Sequence, residues 1–202
     1  MKGYIVDINA KPLIDGELNS FPQDVIDEIV KYREEKHFKQ SFTAWSVLKW
    51  ALMKDFKIDI NKLKLKHNEY GKPFYDEIWF SISHSENIVA VVVSNNWCGV
   101  DTEIVNDVSL DLNKKILTPL ENKVFMMLPT KIQKRNYLIR QWVIKEAYYK
   151  MTGTGISYEK LTSPIQYPAD NIYFEEISDR NDNNYYVAIV GDIKNLELYK
   201  NI

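Results

Sequence analysis

The sequence predicts an α+β fold in which two similar α/β halves, residues 1–97 and 98–202, pack against each other. Three observations carry that expectation. The order strand, helices, strand is written twice along the chain, and no Gly-, Ser- or Pro-rich linker parts the two copies. The 202 residues, 45% hydrophobic and 27% charged, suffice for one sizeable core or for two subdomains sharing one. With 7 Gly, 7 Pro and a formal net charge of -2, the composition excludes a disordered or fibrous chain.

The elements follow in order. Residues 3–8 alternate as a short strand. Residues 24–32, with Val25, Ile26, Ile29 and Val30 apolar, read as an amphipathic helix, and residues 38–56, with Trp45, Leu48, Leu52 and Phe56, as a second. Gly71-Lys72-Pro73 is a turn, because proline fixes its own φ and drives Lys72 toward extended geometry. Residues 78–80 are strand-like, Ser83-His84-Ser85 forms a polar knot, and residues 88–94 read as a buried strand. The second copy opens with a strand at 98–104. It continues with a short helix at 118–127 and a long one at 134–151, and ends in strands at 172–177 and 185–190.

Charge and cysteine content narrow the function classes. A near-neutral total argues against bulk nucleic-acid binding, yet residues 114–150 carry nine Lys or Arg against two acids. Residues 31–66 carry ten against four. Two basic segments suit an anionic ligand or an acidic partner. The single cysteine, Cys98, favours a reducing compartment, and Asp7 and Asn9 interrupt any apolar export signal, so a cytoplasmic location is expected. The longest strongly apolar run, residues 88–93, is far shorter than the roughly 20 residues of a membrane span.

Three constellations can carry chemistry. In Gly99-Val100-Asp101-Thr102-Glu103, the strand period of two points both carboxylates to one face. Like charges that close raise a pKa unless a cation compensates, and Mg²⁺ commonly takes one or two carboxylates plus substrate phosphates. On its own the pair also reads as two solvated acids on an edge strand. In the long helix, Trp142, Glu146 and Lys150 lie one turn apart on one stripe, which reads either as a functional line or as an ordinary Glu-Lys surface pair. Gly153 and Gly155 end that helix without forming a dinucleotide fingerprint. Ser83 and His84, adjacent on an extended segment, point apart and so make a poor nucleophile-base pair; they suit phosphate binding better.

The order Gly71-Lys72-Pro73, Phe80-Ser81-Ile82-Ser83-His84-Ser85, Gly99-Val100-Asp101-Thr102-Glu103, Leu117-Thr118-Pro119-Leu120-Glu121 and Trp142-Val143-Ile144-Lys145-Glu146-Ala147, with Lys150 and Gly153-Thr154-Gly155, resembles the Sfp-type 4′-phosphopantetheinyl transferases. The motifs span residues 71–155, and the length suits the family's monomeric, pseudo-duplicated form, with its site between the halves. The resemblance implies transfer of the 4′-phosphopantetheine arm of coenzyme A to a serine of an acyl, peptidyl or aryl carrier protein, with release of adenosine 3′,5′-bisphosphate. It implies Asp101, Glu103 and Glu146 as ligands of Mg²⁺, and Lys150 as the cation at the transferred phosphate. Glu146 or a water on the metal would take the serine proton. Lys72 and Pro73 would border the adenine, Ser83 and His84 would bind CoA phosphates, Lys145 would lie near the same anionic site, and Thr43 would meet the 3′-phosphate.

Two positions depart from the family pattern. Thr102 stands where relatives usually carry an aliphatic residue, and Phe42 where they usually place an arginine just before Thr43; Lys31, Arg33 or Lys39 could supply the basic partner of the 3′-phosphate. Carrier docking is expected over residues 106–127, where Lys114, Lys115 and Lys123 mix with Leu112, Ile116, Leu120, Phe125 and Met126. Two other readings stand beside the transferase: a CoA-binding or carrier-docking module without catalysis, and a Mg²⁺-dependent phosphohydrolase of CoA-like nucleotides.

Overall fold

A computed structural model of the chain describes residues 1–9, 17–76, 78–106, 108–165 and 168–201, Ala169 without its side chain. In order the elements are β1 (Lys2–Asp7), α1 (Gln23–Val30), α2 (Glu35–Ala51), β2 (Lys66–His67), β3 (Pro73–Phe74), β4 (Trp79–Ser85), β5 (Ile88–Ser94) and β6 (Cys98–Ile104). Then come α3 (Asn113–Ile116), α4 (Pro119–Met127), α5 (Lys131–Thr152), α6 (Tyr158–Thr162), β7 (Ile172–Ser178), β8 (Asn184–Gly191) and β9 (Glu197–Asn201). One sheet has the order β4-β5-β1-β9, a second β6-β8-β7, and β2-β3 form a small hairpin. No helix among the described residues is long and apolar enough to cross a membrane.

Alternation along two strands explains the layering. In β5 all seven residues are buried. Val89, Val91 and Val93 face the core shared with Val25, Ile29, Ala44 and Leu48 of α1 and α2. Ile88, Ala90 and Val92 face the other way, onto Tyr185, Val187 and Ile189 of β8. The alternate residues of β8, Tyr186, Ala188 and Val190, meet Val143, Ala147 and Met151 of α5. Helices, sheet, sheet and helix therefore stack in four layers, and the strands buried on both faces are the ones written as unbroken apolar runs.

Local signals set the helix limits. Thr118 and Thr130 each close a capping box, with Glu121 and Gln133 respectively, and Pro119 occupies the first turn of α4. Gly153, at φ 68°, ends α5 in the left-handed conformation that glycine adopts without strain. Several expectations change. The helix at 38–56 begins at Glu35 and passes after Ala51 into a π turn, Leu52–Phe56. Ser83-His84-Ser85 is the end of β4 rather than a knot between strands. Strand β9 pairs in parallel with β1, so a division at residue 97 does not separate the two sheets.

The two sheets are tied at one end by Asp179, in the turn between β7 and β8. Its carboxylate accepts from Asn181 N (2.8 Å), Asn183 N (2.9 Å), Asn87 Nδ2 (2.9 Å) and the Tyr185 hydroxyl (3.1 Å). Burial alone would raise its pKa; the bonds from Asn183, Asn87 and the turn N–H groups outweigh burial and hold it well below the usual range. Asp179→Ala should lower unfolding stability by about 1–3 kcal/mol, the cost of leaving the buried Tyr185 hydroxyl without its acceptor and of losing the charge-assisted bonds from part-buried amides. Because the folded pKa is depressed, the contribution is complete above the ordinary Asp value of about 3.9 and is lost as pH falls below it. Urea titrations of both chains should show the gap at pH 7 narrowing in acid.

Candidate active site

The site begins with the approach of α5 to β6. A Cβ built on Gly99 would lie 2.0 Å from Ala147 O and 2.5 Å from Met151 N, so only a glycine lets the helix backbone lie on the strand. That contact lays the stripe Trp142, Glu146 and Lys150 against the face of β6 that carries Asp101 and Glu103. The reading of Asp101 as a solvated edge residue is excluded, since it is 3% exposed.

Asp101 Oδ1 accepts from Ser83 Oγ at 2.7 Å and from Lys150 Nζ at 2.6 Å. Burial pushes its carboxyl up, and Lys150 and Ser83 pull it back. Glu103 accepts from Ser85 Oγ at 2.9 Å and from Trp142 Nε1 at 3.4 Å; burial, then the Asp101 charge, raise its pKa. Glu146 is pushed up to about 7 by burial and by the charges of Asp101 and Glu103, against the pull of Lys150. Three carboxylates thus share one ammonium, and the site is short of positive charge.

Among the described residues no group of three or more His, Cys, Asp or Glu side chains is gathered closely enough to hold a metal ion. The Lys150 ammonium sits on one Asp101 oxygen. The other, Oδ2, is buried with no hydrogen-bond partner among the described residues, which is the kind of hard oxygen a divalent cation takes. The donor set fits Mg²⁺ by its chemistry and by its missing charge.

Two clefts meet at Lys150. One, of about 350 Å³, is lined by Tyr70, Lys72, Pro73, Glu146, Tyr149 and Lys150 among others. The second, of about 470 Å³, includes Lys31, Tyr32, Ser41, Ser83, His84 and Lys150. Gly71, Pro73 and Ile82 border both. Burial, then Lys150, lower the His84 pKa and favour its neutral form. Lys72 donates to the carbonyl of Lys150, so it also secures the last turn of α5.

Three residues expected at the ligand stand as follows. Thr43 is not among the cleft residues described. On α2 it lies about 200° around the helix from Ser41, which does line the cleft with Ala44 and Trp45. Lys145 is 1% exposed, and its ammonium donates to Ile116 O (2.7 Å), Leu161 O (2.7 Å) and Glu121 Oε2 (2.6 Å), which uses all three of its protons. It anchors α5 to the segments that flank it. Ser83 donates to Asp101 and accepts from Lys150 Nζ and Thr102 N, which fills its hydrogen-bonding capacity. A third cleft, of about 480 Å³, was missed in the sequence; it is apolar and runs from Glu103 past Trp142 to Leu112, Ile116 and Tyr158, with Lys115 at its rim.

Residues 98–200 match the 4′-phosphopantetheinyl transferase superfamily. The chain is 30% identical over 130 residues to the 4′-phosphopantetheinyl transferase gsp of Aneurinibacillus migulanus, covering 63% of this chain and 54% of that one. It is 23% identical over 129 residues to the 4′-phosphopantetheinyl transferase Sfp of Bacillus subtilis strain 168, covering 62% and 56%. With the 4′-phosphopantetheinyl transferase HetI of Nostoc sp. it shares 30% over 129 residues, covering 59% and 54%. The chain spans about half the length of the curated relatives it matches.

Gly99→Ala should cost at least the 1–3 kcal/mol typical of overpacking, because the obstructing atoms are backbone and cannot rotate away. Thermal unfolding of the two chains checks this.

Proposed function

This chain belongs to the 4′-phosphopantetheinyl transferase superfamily, and we propose that it transfers the phosphopantetheine arm of coenzyme A to a serine of an apo acyl, peptidyl or aryl carrier protein. Adenosine 3′,5′-bisphosphate leaves. The observation that carries the reading is Lys150, which lines both clefts and donates to the buried Asp101, with Glu146 in one of those clefts and the charges of Asp101 and Glu103 acting on it.

The nucleotide end is assigned to the cleft with Lys31, Ser41 and His84. Lys31, paired with Glu28, is the basic residue for the 3′-phosphate, because it lines the cleft while Lys39 is turned to Asn9. Ser41 takes the place expected for Thr43. Neutral His84 presents an imidazole N–H to a phosphate, and Pro73 borders the adenine. Mg²⁺, held by Asp101, Glu103 and Glu146, would neutralise pyrophosphate oxygens when bound.

In the reaction the carrier serine oxygen forms a bond to the β-phosphorus, the bridging P–O bond breaks, and the bisphosphate departs with the electron pair. Lys150 moves from Asp101 to the transferred phosphoryl group, where charge builds. Glu146 takes the serine proton. The apolar cleft beside Glu103, with Lys115 at its rim and Lys114 exposed nearby, suits an acidic carrier protein that brings its serine to the carboxylates. Within the docking segment, Ile116 and Phe125 are core, whereas Leu120 and Met126 are exposed.

Intact-mass measurement of an apo carrier protein incubated with the chain, CoA and Mg²⁺ should show the added phosphopantetheine; no addition across the acyl, peptidyl and aryl classes overturns the reading. Asp101→Ala and Glu146→Ala should abolish transfer with an unchanged circular dichroism spectrum. Lys150→Ala should lower kcat by about 10²–10³-fold with a smaller change in CoA affinity, as expected for a group that acts mainly in the transition state. In a separate steady-state assay, charge reversal at Lys114 and Lys115 should raise KM for the carrier and flatten its salt dependence, with KM for CoA unchanged.

A further inference from the structure

Strands β4 and β6 belong to different sheets, yet they are joined by a ladder whose rungs are side chains. Ser81, Ser83 and Ser85 alternate along β4 and so project from one face. The edge of β6 turned away from β8 meets them. Val100 N donates to Ser81 Oγ at 3.1 Å, Thr102 N to Ser83 Oγ at 3.3 Å and Ile104 N to Ser85 Oγ at 3.1 Å. Three hydroxyls stand where a neighbouring strand would offer carbonyls. The rungs are 4%, 6% and 9% exposed, so water does not compete for them.

A hydroxyl differs from a carbonyl in one respect: after accepting, it still has a proton to give. Each N–H arrives from a rigid strand and fixes the serine oxygen, which restricts where that proton can point. On two rungs it lands on a carboxylate of β6, Ser83 on Asp101 Oδ1 at 2.7 Å and Ser85 on Glu103 Oε2 at 2.9 Å. One oxygen of each acid is thereby fixed, and in Asp101 the other has no hydrogen-bond partner among the described residues.

We propose that Ser83 and Ser85 are positioning residues that aim Asp101 and Glu103 at the cation, with Ser81 the rung of the same ladder that bears no bond to either acid. This rests on the transferase reading, with Mg²⁺ at the carboxylates. It also gives Ser83 a role other than contact with a CoA phosphate. Ser85 offers the cleaner test, because its hydroxyl has no bond to Lys150.

The experiment compares the full chain with Ser85→Ala, Ser85→Thr and Ser81→Ala. Mn²⁺ affinity is read from the electron paramagnetic resonance signal of the free ion, and amide hydrogen exchange is followed at Val100 and Ile104. Ser85→Ala should weaken Mn²⁺ binding about 10–100-fold, the usual loss when a group supporting a metal ligand is removed. It should also speed exchange at Ile104. Ser85→Thr, which keeps the hydroxyl, should restore both. Ser81→Ala should speed exchange at Val100 while Mn²⁺ affinity stays at the native value. Native Mn²⁺ affinity in Ser85→Ala, with Ile104 exchanging freely, overturns the proposal. So does an equal loss of affinity in Ser81→Ala, which would reduce the ladder to a structural seam. A native chain that binds no Mn²⁺ overturns the metal reading itself and this inference with it.

Discussion

Burying a carboxylate where α5 and β4 close over β6 is costly unless charge and hydrogen bonds compensate it, and the placement of Asp101 imposes that demand on everything around it. The compensation comes from both sides. From α5 comes the Lys150 ammonium, which reaches the carboxylate because Gly99 lets helix and strand touch. From β4 comes the Ser83 hydroxyl, which reaches it because β4 lies along the free edge of β6. Neither partner fully offsets the second and third carboxylates. The resulting deficit of positive charge is the electrostatic property a divalent cation would offset.

The same arrangement separates tasks along one helix. Residues 142, 146 and 150 of α5 face β6, while residue 145, 100° further round, faces Ile116 and Leu161. Two lysines within five residues therefore have unlike roles. Lys150 is part-exposed at the meeting of two clefts, and Lys145 is a buried tether that holds the α3 and α6 segments against the helix. A lysine with every proton given to the protein is a structural residue whatever its neighbours in sequence do.

Much of this was legible before the fold was known. Strands 88–94 and 98–104 were readable to the residue, because unbroken apolar runs and the alternation of Asp101 with Glu103 are local signals. The stripe of α5 was legible for the same reason. What escaped was non-local. Strand β9, with Glu197, Lys200 and Asn201 in five residues, carries no apolar pattern and exists only because β1 offers an edge. The serine ladder looked like a polar knot, since nothing in Ser81, Ser83 or Ser85 announces that β6 will lie beside them. Thr43 is expected at the ligand where the match to relatives is loosest, and a shift of two residues on a helix reverses the face.

The pairing of β9 with β1 has a consequence for how the chain acquires its shape. Residues 2–6 and their parallel neighbour, residues 197–201, are about 195 positions apart. During synthesis β1 can close on β5 once residue 94 is made, but its other edge stays open until residues 197–201 have been made as well. An open strand edge is a template for pairing with another chain. The polar β9 acts as a late latch, and a nascent chain stalled before residue 197 would carry its folded layers with that edge exposed to its neighbours on the same message.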